Sequence, residues 1–552
     1  MTSRIPQDLS ERRFDLIVIG AGVNGAGIAR DASLRGLKVL VLEQDDLCSG
    51  TSSWNSRLIH GGLRYLEHAE LGLVRESLRD REILLRTAPH LVRPLPLLIP
   101  IYNTNKRGPL LVRLGMIAYD FLSYDKTLPR HRMFKRDKVL AEEPGLNPEG
   151  LRGAAMYYDA QVTFPERLVL ENLLSARENG AELITYARAG RILLDEASST
   201  VQGVEFEDRL GGGSHQAYAG AVINVAGPWV DQVLTASGRR FDQRIGGTKG
   251  THIVVSAFPG APTRALYAEA AADARPYFTL PWNGLYLIGT TDTRYEGDPG
   301  RVEPTEEEIE YLVAETNRMI PTAQLTRASV LYAYAGVRPL PHVGKGSTGA
   351  ITRRHLVVSH GSEVNGLWSV IGGKLTTYRH LSEEAVELIG KAKNWKLPRC
   401  PTKTQALPGG TTEDLAQFRD SFERTCGLKA ATARRLVEVY GVRAQGVVDL
   451  IRAEPELGKV VSPATGALAA EIVFAFREEM AQTLTDALMR RTMAGIGPGA
   501  GLDAVEAAAA VGQNYLGWTA ERARSEIATY RDYITRFHPQ GAEARQTREA
   551  AG

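Results

Sequence analysis

Short apolar blocks mark the first four hundred residues and predict strands, the unbroken runs at 16–19 and 221–225 buried on both faces. Residues 16–19 form the first block, which runs into Gly20-Ala21-Gly22-Val23-Asn24-Gly25. A helix follows with small Ala26, Gly27 and Ala29 toward the strand, and a second block, 37–42, ends in Glu43. Later blocks predict strands at 153–158, 183–186, 203–207, 221–225, 252–256, 277–280, 285–292 and 367–371. Helical spacing appears from about 63 to 86, over 166–179 and over 305–319, the last with acids in its first turn, where the helix dipole favours them. Residues 401–414, with Leu407-Pro408-Gly409-Gly410, read as a linker. Beyond them the pattern is helical almost throughout, interrupted at 494–501, and the polar tail after Phe537 is expected to be disordered.

The first unit has a chemical meaning. Gly20 lets the strand turn sharply, Gly22 lets backbone N–H groups approach a pyrophosphate at the helix N-terminus, and Gly25 lets helix and strand pack closely. Glu43 is placed to accept bonds from a ribose 2′-OH and would repel a 2′-phosphate. Strand, glycines, helix, strand and acid in register predict a dinucleotide site. The block 221–225 then ends in Ala226-Gly227-Pro228-Trp229 and a helix start. This run resembles the second fingerprint of two-dinucleotide-fold flavoproteins, an element that a simple NAD dehydrogenase does not need, and the resemblance favours FAD.

Three further stretches are candidates for the reacting end. Residues 48–57 form a hydroxyl-rich loop, in which Thr51, Ser52 and Ser53 are positioned for cofactor oxygens. Residues 58–68, LIHGGLRYLEH, set Gly61, Gly62 and Leu63 against a flat ligand, with His60, Arg64 and Tyr65 beside them. The run 367–377 brings Gly373, Lys374, Leu375 and Thr376 to the flavin end, with a helix opening at the glycine pair.

Charge narrows the partners. With 66 basic and 64 acidic side chains, no overall field marks a nucleic-acid binder. One stretch departs from that balance: 105–138 sets nine basic residues against three aspartates and interleaves an apolar helix. It suits either an anionic bilayer surface or a core helix with solvated flanks. The three cysteines, Cys48, Cys400 and Cys426, make no CxxC, and neither a disulfide framework nor a metal site is expected, which suits a reducing cytoplasm. The first 13 residues lack a signal-peptide core, and no apolar run is long enough to span a bilayer.

The predicted fold class is therefore α/β. It comprises a two-dinucleotide-binding, Rossmann-like FAD domain over 14–400, with an inserted antiparallel-sheet substrate part at about 245–340. An α-helical C-terminal domain over 401–540 and a short tail, 541–552, follow.

Taken in order, DLIVIGAGVNGAGIARDA, LIHGGLRYLEH, VINVAGPWV, KGTHIVV, IGTTDT, AGVRPL, AITRRH, IGGKLTTYR and DALMRRTMAG resemble the aerobic, FAD-dependent glycerol-3-phosphate dehydrogenases, over residues 15 to about 495. The resemblance implies oxidation of sn-glycerol 3-phosphate to dihydroxyacetone phosphate, with electrons passed from the flavin to membrane quinone. It also implies a cytoplasmic enzyme held peripherally on the membrane and often dimeric. It places His60, Arg64 and Tyr65 beside the substrate, Arg338 and Arg353 on its phosphate and Lys374 near the flavin, and it matches His252 to the histidine of the KGTHIVV strand. Arg57 stands where some members carry Lys, and the stretch after Leu340 is shorter than in some relatives. Several arginines suit a phosphate, because the guanidinium fork matches its oxygens. His60 and His252 are both candidate bases, and Lys374 could stabilise a developing alkoxide by its charge. A glycerol-3-phosphate oxidase using O2 and, more distantly, an amine or amino-acid oxidase share the fold.

Overall fold

A computed structural model of the chain describes residues 4–66, 69–195, 197–343 and 351–538. The tail 541–552 and most of the stretch after Leu340 lie outside the described residues.

Two sheets organise the molecule. The first is parallel at its centre, with neighbouring strands Leu367–Ile371, Ser214–Asn224, Arg13–Ile19, Val39–Leu42 and Glu182–Ile184. Ile17 faces Val222 on one side and Leu40 on the other, so the two fingerprint strands lie side by side. Their Val, Ile and Leu side chains are fully buried, as expected of strands covered on both faces. The helices Val23–Leu34 and Tyr378–Ala392 pack together against this sheet.

The second sheet is mainly antiparallel and has ten strands. Its centre includes Thr248–Val255, Leu285–Gly289, Pro276–Trp282 and Ala265–Glu269, as expected. It also takes Val92–Tyr102, Leu151–Val162, Arg132–Lys135 and Leu58–Ile59 from the first part of the chain. The second sheet thus extends well beyond 245–340, because Val92–Tyr102 and Leu151–Val162 find their partners only in tertiary pairing. The helix Glu306–Met319 forms as its sequence dictates. Thr305 accepts from the Glu308 N–H and the Glu308 carboxylate reaches back, a reciprocal N-terminal cap.

Three expectations change. The helix from about 63 is a 3-10 turn, Leu63–Leu66, followed by Leu71–Thr87, and Ala69 between them sits at φ 56°. The glycine pair 372–373 opens a turn and not a helix, so Lys374 sits four residues before the helix at Tyr378. Residues 401–414 are no free linker: Leu407 is fully buried, Gly409 N–H donates to Glu171 Oε2 at 2.9 Å, and Arg30 reaches the carbonyls of Gln405 and Ala406.

The helical C-terminal region is fastened by buried charge. Arg491 makes a two-pronged pair with Asp46 at 2.7 and 2.8 Å, and Arg490 adds a bond at 2.5 Å. Arg167 pairs in the same way with Glu479. Removing one partner of a buried pair of this kind costs about 3–5 kcal/mol. Arg490 and Arg491 come from DALMRRTMAG, so that motif docks the C-terminal region against the loop that follows Glu43.

Candidate active site

One cavity of about 640 Å³ runs from the first fingerprint to the second sheet. At one end Gly20, at φ 110°, turns the chain where a side chain would meet the Val225 carbonyl oxygen at 2.7 Å. A Cβ on Gly25 would overlap the Gly20 carbonyl oxygen, so only glycine lets this helix start so close to its strand. Gly25 therefore supports the cradle from behind and is not in the cavity wall, whereas Gly20, Gly22 and Glu43 are.

Glu43 is 8% exposed and accepts the Ala21 N–H at 2.6 Å and the Asp45 N–H at 3.0 Å. Burial raises its pKa to about 7 against the pull of those two N–H groups. The acid thus ties the glycine turn to its own loop as well as facing the cavity. Thr51 and Ser52 also line the cavity, and Ser52 Oγ accepts the Val23 N–H at 3.0 Å. Ser53 does not reach it. Its hydroxyl donates to the Cys48 carbonyl at 2.6 Å and stiffens the loop from inside. Ala226, Gly227 and Trp229 close the opposite wall, and Gly62, Leu63, Gly373, Leu375 and Thr376 continue toward the second sheet. A glycine turn at a helix N-terminus and a facing acid at one end of the cavity fit a dinucleotide.

At the other end the cavity gathers His60, Arg64 and Tyr65 with Arg338, Arg353 and Lys374, two groups far apart in sequence. Lys374 Nζ donates to Ser77 Oγ at 2.9 Å and to the His60 carbonyl at 3.4 Å, and sits 4.7 Å from the Tyr65 ring centroid. Burial lowers its pKa to about 8. Burial and the Lys374 charge together lower His60 to about 3, so its imidazole is neutral. The second candidate base, His252, lies behind the wall. It is 2% exposed, stacks on Tyr334, and bonds through Nε2 to Ser56 Oγ at 2.9 Å. Ser56 lines the cavity and His252 does not. Burial first, then Arg338 and Arg57, holds His252 well below the usual imidazole range.

The arginines form a cluster around Asp292, a residue of IGTTDT to which the sequence assigned no role. Arg338 Nη1 is 3.1 Å from Asp292 Oδ1, and its Nη2 donates to Thr290 Oγ1 at 3.0 Å and the Thr291 carbonyl at 3.2 Å. Arg353 Nη2 is 3.6 Å from Asp292 Oδ2, and Arg275 reaches the Asp292 carbonyl. Burial would raise the Asp292 pKa, but Arg338 and Arg353 outweigh it and hold it below the usual carboxylate range. Arg338 falls to about 10 because of its burial, opposed by Asp292.

Two other supports were not legible. Gly61 is not in the cavity wall; its N–H donates to the Tyr119 hydroxyl at 3.0 Å, and that hydroxyl donates to Asp159, itself paired with Arg81 at 2.6 Å. Arg57 makes a two-pronged pair with Glu166 at 3.0 Å on each prong, a geometry that an ammonium would not reproduce.

Residues 15–379 match the FAD dependent oxidoreductase family, and residues 400–523 match the C-terminal domain of alpha-glycerophosphate oxidase. The glycerol-3-phosphate dehydrogenase of a Synechocystis species is 45% identical over 541 residues, covering 96% of this chain and 97% of that protein. The chain belongs to the FAD-dependent glycerol-3-phosphate dehydrogenase family. Within it, the aerobic enzyme of Staphylococcus aureus is 32% identical over 88% of both chains. The crystal structure of the Bacillus halodurans glycerol-3-phosphate dehydrogenase complexed with FAD superposes with a TM-score of 0.78 at 28% identity, covering 97% of each chain. The Mycoplasma pneumoniae L-alpha-glycerophosphate oxidase shares the fold, with a TM-score of 0.57 at 20% identity over 72% of this chain and 99% of that one. The cofactor of this family is FAD, and the fingerprint end of the cavity is where its adenosine half fits.

Proposed function

We propose that the chain oxidises sn-glycerol 3-phosphate to dihydroxyacetone phosphate in this cavity and passes the electrons to a quinone in the cytoplasmic membrane. The observation that carries the reading is the convergence of Arg338, Arg353, His60 and Lys374 at the far end of a dinucleotide cradle. FAD, when bound, supplies the hydride acceptor for the carbon that bears the alcohol. Arg353 and Arg338 take the phosphate, with Arg64 and Tyr65 along the glycerol. His60 takes the hydroxyl proton. It is neutral at every working pH, and its weak basicity means transfer occurs as hydride departure makes the alcohol acidic. Lys374 adds positive charge where the alkoxide develops. His252 acts through Ser56 by holding that hydroxyl against the cavity. A cluster of arginines exceeds what a single amino-acid carboxylate needs.

The membrane reading rests on the helix Pro109–Leu122. Met116 and Tyr119 face the core, while Leu110, Leu114, Ile117 and Phe121 form a second, exposed apolar stripe, with Phe121 76% exposed. Arg113, Arg130, Arg132, Lys135 and Arg136 are exposed around it. A core helix would not leave such a stripe in water. No described helix is long and apolar enough to cross a membrane, so this face would rest on the bilayer.

Reversing Arg132, Lys135 and Arg136 to Glu should release the protein from anionic vesicles at low salt, since each basic residue contributes about 1 kcal/mol. Unchanged sedimentation would move the contact elsewhere. Purified enzyme should reduce a soluble quinone analogue faster than O2. Stoichiometric peroxide unaffected by quinone would instead support the oxidase reading, which the match of residues 400–523 to a glycerophosphate oxidase domain keeps open.

A further inference from the structure

Asp292 occupies the place where the substrate phosphate is expected. Its carboxylate lies between Arg338 and Arg353, 3.1 Å from Nη1 of one and 3.6 Å from Nη2 of the other, and it lines the same cavity. The two guanidinium groups are not held alike. Arg338 is fixed by Thr290 Oγ1 and the Thr291 carbonyl as well as by Asp292. Among the described residues Arg353 has only the longer pair with Asp292, and its Nη1 is buried with no hydrogen-bond partner. A buried guanidinium nitrogen without an acceptor is costly, and it marks a position that an incoming anion would complete.

We propose that Asp292 is an anionic placeholder for the substrate phosphate. Its carboxylate keeps the two arginines from repelling each other apart in the empty site and gives up Arg353 when the phosphate arrives. The inference rests on the phosphate reading of Arg338 and Arg353 and adds the group that regulates their availability. Arg338 stays anchored by its other two acceptors, so the exchange takes place at Arg353. A bound phosphate then sits close to the carboxylate and feels its charge. The carboxylate therefore weakens the hold on any phosphate ligand, which limits trapping by inorganic phosphate and speeds departure of the phosphorylated product. Asp292 touches the arginines and is a positioning residue.

The test uses FAD-loaded enzyme with Asp292→Asn, and Asp292→Ser alongside it. Competitive inhibition by inorganic phosphate against glycerol 3-phosphate is measured, and phosphate is titrated at equilibrium by its perturbation of the flavin absorbance. Removing a unit charge a few ångströms from the anion should tighten phosphate by about tenfold to a hundredfold. Inhibition by dihydroxyacetone phosphate should tighten in the same proportion, with a lower kcat. A merely structural role gives the opposite sign, because misaimed arginines bind phosphate more weakly. Weaker or unchanged phosphate binding in both variants overturns the proposal, as does loss of flavin from both, which would make Asp292 a strut of the fold. Phosphate that competes with glycerol 3-phosphate in neither the wild-type enzyme nor either variant would overturn the phosphate reading of the arginines itself.

Discussion

Replacing Arg353 by alanine separates phosphate binding from general damage better than any other single change at this site. Among the described residues its side chain makes one ion pair, with Asp292 at 3.6 Å, and Nη1 has no hydrogen-bond partner. Little of the fold depends on it. A phosphate would give it one or two charge-assisted bonds, each contributing about 1.5–3 kcal/mol. At about 1.4 kcal/mol per decade, kcat/KM for glycerol 3-phosphate should fall by roughly tenfold for a single bond at the low end and a thousandfold or more for a strong two-pronged pair. Glycerol lacks the phosphate, so its already poor turnover should hardly change. Arg338→Ala is the instructive contrast, because it also strips Asp292, Thr290 and Thr291 of a partner and should lower thermal stability. The assay is anaerobic flavin reduction by each substrate under single-turnover conditions. Equal losses on both substrates, with FAD retained, would refute the phosphate role of Arg353.

Two more outcomes are expected. Because Lys374 has its pKa lowered to about 8 by burial, it is charged below that value and neutral above it. Thus kcat/KM should decline as pH rises through about 8, and Lys374→Arg should move that limb to higher pH; a flat profile would remove the charge from the mechanism. Tyr119→Phe deletes the hydroxyl that joins Gly61 N–H to Asp159, costing about 1.5–3 kcal/mol of stability in denaturant titrations and lowering kcat/KM through the loosened His60–Gly62 backbone. Unaltered stability would show that the bond contributes nothing net.

What the sequence made legible is what local pattern encodes. Residues 14–43 carry their fold in consecutive positions, because a glycine turn and the strand either side of it need no distant partner to be recognised. Thr305 and Glu308 announce the start of their helix in the same way. The pairing of Val92–Tyr102 with Leu151–Val162 was not legible, since nothing in either strand names the other. Asp292 and Tyr119 were missed for a related reason. Each acts on residues far off in sequence, and Tyr119 sits in an apolar helix whose two faces look alike until one is buried. The paired candidates His60 and His252 were inseparable as letters, yet one lines the cavity and the other stands behind Ser56. Arg490 and Arg491 lay in a matching motif, but their target, Asp46, is more than four hundred residues away in sequence.

In the proposed reaction a hydride leaves glycerol 3-phosphate for the flavin held in this cavity. The measurement that tests it most directly is anaerobic mixing of the FAD-loaded protein with glycerol 3-phosphate, following the flavin absorbance and assaying the product. Rapid bleaching is expected, with one dihydroxyacetone phosphate formed per flavin and no comparable bleaching by glycine or proline. Flavin that stays oxidised in the presence of saturating glycerol 3-phosphate, or that is bleached by an amino acid instead, would contradict it.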